Sequence, residues 1–250
     1  MCECNEQRNT ASQASRRQFL RFGGGAALLT AGAMMLPAMP AIAAPKDGPL
    51  PKPQNALTPD LALSRLMAGN QRYVEGVARR HDFLSEREAL ASGQNPFAAI
   101  LSCADSRIAP EYAFDSARGD IFAVRVAGNF VTTDGLASLE YAVAVLGTPV
   151  IMVLGHEACG AVKAGVQRAT DGTTFPGHID TLAKAVEPSV KAVMGRSGNV
   201  LDNAIRQNVL DNVERLKGAS AVLTEALAAK RLKIVGGVYE LASGKVQLLG

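Results

Sequence analysis

Four short apolar runs, at residues 97–102, 121–126, 150–154 and 232–238, alternate with longer segments of helical periodicity. Apolar runs with no polar alternation are covered on both faces, and such strands belong to parallel sheets with helices above and below. The chain therefore reads as α/β: a single domain with a central, mostly parallel β-sheet flanked by helices. Segments 134–146, 160–168 and 179–194 supply helices, and 199–230 supplies a long one broken near Gly218 to Ser220. Residues 245–249, after the Ala242-Ser243-Gly244 turn, add an edge strand. There is no internal repeat, and about 190 residues suits one domain.

The N-terminus follows different rules. Ser15-Arg16-Arg17-Gln18-Phe19-Leu20-Arg21 leads into a charge-free Gly/Ala/Leu/Met stretch that ends near Leu36, and Ala41-Ile42-Ala43 offers small residues for cleavage. The order of residues resembles a twin-arginine signal, whose export machinery moves proteins already folded. Residues 1–43 are thus expected to be a signal peptide and the mature protein periplasmic, with no stable membrane span left after cleavage near Ala43. Residues 44–57, rich in Pro and polar side chains, read as a flexible linker, and the domain occupies 58–250.

Cleavage leaves 22 basic and 21 acidic residues, so the mature chain is almost neutral and carries no field for nucleic acid. It also leaves Cys103 and Cys159 as the only thiols. In an oxidising compartment two cysteines suggest a disulfide, but export in the folded state allows metal to be loaded first in the reducing cytoplasm.

From Thr58, the spacing of Leu61, Leu63, Leu66, Met67, Tyr73 and Val74 predicts an amphipathic helix, with Thr58 as N-cap and Pro59 in the first turn. A short helix over 85–91 follows. The first helix has few obvious partners within the domain, so it is expected to pack on another subunit.

In a parallel sheet, ligands gather beyond the carboxyl ends of the strands. The run 97–102 leads directly into Cys103-Ala104-Asp105-Ser106-Arg107, and the run 150–154 into Gly155-His156-Glu157-Ala158-Cys159-Gly160. Cys103 and His156 are 53 positions apart, yet converge if those strands are neighbours. Two thiolates and one imidazole suit Zn2+ and leave a fourth position for water or for Asp105. Arg107, two residues from Asp105, is close enough to hold that carboxylate by a bidentate pair and keep it off the metal.

Leu101-Ser102-Cys103-Ala104-Asp105-Ser106-Arg107 and Leu154-Gly155-His156-Glu157-Ala158-Cys159-Gly160 together resemble the two zinc-site signatures of the beta-class carbonic anhydrases. The likeness extends through residues 66–73, 119–129 and 137–143 and the C-terminal Gly237-Val238-Tyr239-Glu240. The resemblance implies one Zn2+ per subunit on Cys103, His156 and Cys159, with Asp105 and Arg107 as catalytic dyad and Asp105 as fourth ligand in a closed state. It implies hydration of carbon dioxide to bicarbonate by hydroxide formed at the zinc, in a homodimer or dimer of dimers. Gln94 matches a bicarbonate-holding glutamine, and Phe122 and Tyr141 match wall positions of the substrate site. Some relatives close the site with bicarbonate at a regulatory pocket containing tryptophan; this chain has no tryptophan.

Three other readings compete: a zinc enzyme acting on carbonyl sulfide or carbon disulfide, a non-catalytic zinc-binding module, and an exported binding protein with a Cys103–Cys159 disulfide. Of the other histidines, His81 in a charged run and His178 after a Pro-Gly turn read as surface groups, either able to relay protons.

Overall fold

The computed structural model describes residues 56–249. The signal segment and its cleavage site, together with all of the linker except Ala56 and Leu57, lie outside the described residues. Two helices open the domain, α1 (Pro59–Val74) and α2 (Phe83–Leu90). Then come β1 (Ala98–Ser102), α3 (Pro110–Ala113), β2 (Ile121–Arg125), α4 (Thr133–Ala144), β3 (Val150–His156) and α5 (Gly160–Asp171). The chain continues through α6 (Ile179–Lys191), α7 (Val200–Gly218), α8 (Ala221–Ala228), β4 (Lys233–Tyr239) and β5 (Val246–Leu249). No described helix is long and apolar enough to cross a membrane.

The sheet order is β2-β1-β3-β4-β5, parallel except for antiparallel β5. The apolar runs are explained by burial on both faces. Ala99, Leu101, Ile151 and Val153 face a core shared with residues of α4 to α8, while Ala98, Ile100, Met152 and Leu154 face a second core with Ala62 and Leu66 of α1. Each fully buried Leu or Ile contributes about 1.5–3 kcal/mol, so the central strands carry much of the stability.

After β1 the chain moves outward to β2, then crosses back so that β3 lies on the other side of β1. A reversal of this kind opens a crevice at the carboxyl ends of the two strands flanking it. Register fixes what stands there. Ser102 is level with Leu154, so Cys103, one residue on, comes alongside the Gly155-His156 end of β3.

The long helix α7 lies against this frame through Ala204, Ile205, Asn208, Val209, Asn212, Val213 and Leu216, a stripe repeating every three to four residues. It approaches closely because Gly155 and Gly236 lie beneath Val209. A Cβ at either glycine would come within 2.6 or 2.7 Å of that side chain.

The first helix differs from expectation in one respect. Thr58 caps it through the Leu61 N–H and Pro59 starts it, as its sequence implies, but α1 does have partners within the domain. Asn70 Nδ2 donates to the carbonyls of Ala113 and Gly244, and its Oδ1 accepts from the Val246 N–H. Arg65 and Arg72 pair with Asp120 and Asp115. A polar residue inside an amphipathic stripe gives no sequence signal of such contacts. Leu61, Tyr73 and Val74 on the same helix stay exposed.

Candidate metal centre

Cys103 follows β1, His156 ends β3, and Cys159 caps the start of α5. The ligand atoms of these three buried residues all lie within 4.8 Å of one another. Between His156 and Cys159, Ala158 takes φ 51°, a left-handed turn costing a non-glycine residue about 1–2 kcal/mol, which returns the chain toward the sulfur of Cys103. The strain sits at the site, where rigid local packing holds it.

The donor set fits a metal ion. His156 is wholly buried, and its Nδ1 is bonded to the Glu157 carbonyl at 2.9 Å, which fixes Nδ1 as the protonated nitrogen. That leaves Nε2 as an unprotonated acceptor, and this buried atom has no hydrogen-bond partner. A buried lone pair left unmet costs about 1–3 kcal/mol unless a cation takes it. The two sulfurs stand 3.9 Å apart, far beyond the about 2.05 Å of a disulfide, and both cysteines are free. The disulfide reading therefore falls.

Charge follows the same arrangement. The hydrogen bond from Cys159 holds the Cys103 thiol down at about 4, with help from the Gly128 N–H. The same contact, then burial, pushes Cys159 up, so without a cation the pair shares one proton. A soft divalent cation displaces that proton and takes both thiolates.

Beside the ligands, Arg107 donates from Nε to Asp105 Oδ1 at 2.9 Å and from Nη2 to Oδ2 at 2.7 Å. Its backbone N–H adds a third bond to Oδ1. The Arg107 side chain holds the Asp105 carboxyl well below the usual carboxylate range, against the opposing effect of burial. Arg107 also reaches the Ala158 carbonyl at 3.4 Å, tying the two ligand loops together. Asp105 Oδ2 stands 3.9 Å from His156 Nε2.

Several contributors to the site give no sequence signal. Arg125, at the end of β2, donates to the carbonyls of Cys103, Asp105 and Ile108 and pins the loop that carries the dyad. Gly128 donates its N–H to Cys103 Sγ at 3.3 Å. The β1–β2 register, which sets Arg125 level with Ser102, is what brings the arginine there.

The remaining expected residues lie apart from the ligands within one chain. Gln94 is exposed and precedes β1, whereas Cys103 follows its other end, and a five-residue strand spans about 16 Å. Phe122 of β2 and Tyr141 of α4 meet each other, ring centroids 6.4 Å apart, with Tyr141 47% exposed. Among the described residues no hydrogen bond or ring contact links these three to the ligand set.

An open α/β sheet carrying a buried Cys2His cluster at its switch point, beside a restrained carboxylate, has the donor set of a zinc metalloenzyme. A family model described as "Carbonic anhydrase" matches residues 98–246. A protein named carbonic anhydrase 2 from Mycobacterium tuberculosis is 39% identical over 193 residues, covering 76% of this chain and 92% of its own length. The carbonic anhydrase of Mycolicibacterium smegmatis is equally similar, with 76% of this chain and 93% of that protein covered. Among solved structures, the beta-carbonic anhydrase CcaA superposes with a TM-score of 0.60 at 27% identity, covering 74% of this chain and 86% of that one. The Coccomyxa beta-carbonic anhydrase in complex with acetazolamide superposes with a TM-score of 0.58 at 29% identity, covering 75% and 86%. The chain belongs to the beta-class carbonic anhydrases, zinc enzymes that interconvert carbon dioxide and bicarbonate.

Proposed function

We propose that this chain is an exported carbonic anhydrase in which Cys103, His156 and Cys159 hold zinc, Arg107 restrains Asp105, and Asp105 orients the attacking water. The observation that carries it is the bidentate Arg107–Asp105 pair set 3.9 Å from the unpartnered His156 Nε2. Zinc, when bound, supplies a Lewis acid that acidifies water at neutral pH. The chain supplies the rest.

Both Asp105 oxygens accept from Arg107, so the carboxylate is aimed and kept ionised. As an acceptor, Asp105 Oδ2 takes one hydrogen bond from water at the site and turns that water's remaining lone pair toward carbon dioxide. Because the Arg107 bond depresses its pKa, Asp105 does not retain the proton at neutral pH; it orients and passes it on. The buried thiol and imidazole ligands keep other water from the centre.

A second copy of the chain completes the substrate wall. Half-buried Phe122 of the edge strand β2 and exposed Tyr141 of α4 meet each other, and Gln94 lies beyond reach of its own centre, so these three serve the site across a dimer or a dimer of dimers. A structural neighbour from Sordaria macrospora is described as tetrameric. The Arg16-Arg17 signal, read by the twin-arginine machinery, places the folded, zinc-loaded enzyme in the periplasm.

Metal analysis with stopped-flow carbon dioxide hydration tests the chemistry. One zinc per chain and a loss of about a hundredfold or more in Asp105→Ala are expected. A zinc-loaded wild type that hydrates carbonyl sulfide but not carbon dioxide overturns it. Cell fractionation of an Arg16→Lys, Arg17→Lys variant tests export: retention in the cytoplasm is expected, and unchanged export refutes the signal.

A further inference from the structure

Two asparagines interrupt the apolar stripe of α7. Asn208 is 1% and Asn212 5% exposed, and amides so deeply buried persist only when their polar atoms are met. Asn208 Nδ2 donates to the Gly128 carbonyl at 2.8 Å, and Asn212 Oδ1 accepts from the Val131 N–H at 2.8 Å. Asn212 Nδ2 donates to the carbonyl and Oδ1 of Asn208 at 2.7 and 3.1 Å, which braces the pair. Outside the pair itself, these bonds end on one loop, residues 128–131. Apolar side chains of similar volume would fill the same stripe without the cost of desolvating two amides.

That loop reaches the metal centre through a backbone hydrogen bond. Gly128 takes φ +88° and Asn129 φ 43°, consecutive left-handed residues that turn the backbone sharply beside the cluster. The turn aims the Gly128 N–H at Cys103 Sγ, 3.3 Å away. A side chain at Gly128 would come within 3.1 Å of Ala161 Cβ and 3.3 Å of Val186 Cγ2, so the turn is packed closely against α5 and α6.

We propose that Asn208 and Asn212 are positioning residues of the zinc centre: through the 128–131 loop they hold the Gly128 N–H on the Cys103 sulfur and limit that sulfur's donation to the metal. The proposal rests on the zinc reading of the site. A hydrogen bond to a thiolate withdraws charge from it, which leaves the metal a stronger Lewis acid, and partners of metal ligands typically change affinity or activity 10–100-fold (~) when removed. Neither asparagine touches a ligand; their action runs through one backbone amide.

The test uses the cobalt-exchanged full chain and reads the sulfur-to-cobalt charge-transfer band. Asn208→Leu and Asn212→Leu keep the branching of the side chain at Cγ and remove the clamp. Each is expected to bind one cobalt, to move the band to longer wavelength, and to lose about tenfold in kcat/KM at neutral pH as the zinc enzyme. Leu216→Ala, on the same helix but with no bond to the loop, is expected to lose stability and keep the wild-type band. An unmoved band in cobalt-loaded Asn208→Leu, or an equal shift in Leu216→Ala, overturns the proposal. Should the asparagine variants not fold, coupling between the Gly128 amide proton and cadmium-113 in the cadmium-loaded wild type decides: its presence supports the clamp and its absence overturns it. A wild type that binds cobalt but does not hydrate carbon dioxide as the zinc enzyme defeats the functional reading alone, since the band comparison still stands.

Discussion

Arg107 grips both oxygens of Asp105, at 2.9 and 2.7 Å, while Asp105 Oδ2 stays 3.9 Å from His156 Nε2. On the proposed zinc reading, such a pair would keep the carboxylate for orienting water and off the metal's last position. Arg107→Ala is expected to release Asp105 toward the metal and lower kcat about a hundredfold or more, with zinc content unchanged. Arg107→Lys keeps the charge but not the planar fork, so it should recover only part of the rate. Stopped-flow hydration rates beside metal analysis check both; a fully active Arg107→Ala would show that the restraint has no catalytic consequence.

The pH profile follows from the same pair. Asp105 has its carboxyl lowered by Arg107, so its contribution to stability is complete above the unfolded carboxylate value of about 3.9 and is lost only as pH falls through the lower folded value. No step in activity from Asp105 is expected between pH 6 and 9 (~). The rise in that range belongs to water at the metal. Two thiolates leave zinc less electropositive than three neutral imidazoles do, and a three-histidine site acidifies its water to about 7. Carbon dioxide hydration should therefore rise through a midpoint above that value. A profile flat from acid to neutral pH would contradict this.

Removing the metal should change the chain's thiol count. Cys103 and Cys159 are 4% and 1% exposed, and as thiolates bound to zinc they are expected to be closed to thiol reagents. Chelation leaves a hydrogen-bonded pair in which Cys103 is held as the thiolate, and a thiolate is the reactive form. Two more thiols are expected to react after chelation than before, counted by a chromogenic disulfide under native conditions. Equal counts would mean that the pair does not hold the metal.

Much of this site was legible because its ligands adjoin strand ends: Cys103, Asp105 and Arg107 directly follow one apolar run, and His156 and Cys159 another. The strand limits were less so. β3 runs on through Gly155 and His156 because β4 continues beside it, pairing His156 with Tyr239, which a local apolar pattern does not reveal. The four-residue α3 is too short to show a period. Arg125, Asn208 and Asn212 act through sheet register and helix docking between segments 17 to 81 positions apart, so nothing near them in sequence marks their partners. Likewise Asn70 reads as an interruption of the α1 stripe until Gly244 and Val246 are seen against it.

The approach of α7 to the sheet gives the last prediction. Gly155 immediately precedes His156, and a methyl group there would stand 2.6 Å from Val209 Cγ2, with Ile205 Cγ2 and Asn129 Oδ1 at 3.6 and 3.8 Å. Val209 is fully buried in a close-packed core, so Gly155→Ala is expected to displace either α7 or the end of β3. Overpacking of this kind costs about 1–3 kcal/mol, and part of the displacement falls on the His156 ring. Gly155→Ala is expected to lower both thermal stability and zinc retention. Removing the opposing methyl groups tests the cause: in Gly155→Ala, Val209→Ala the collision is relieved, so the double variant should hold zinc better than Gly155→Ala even though Val209→Ala alone destabilises the core. Thermal melts and chelator competition on the four proteins give the coupling energy, and strictly additive effects would show that α7 does not bear on the histidine.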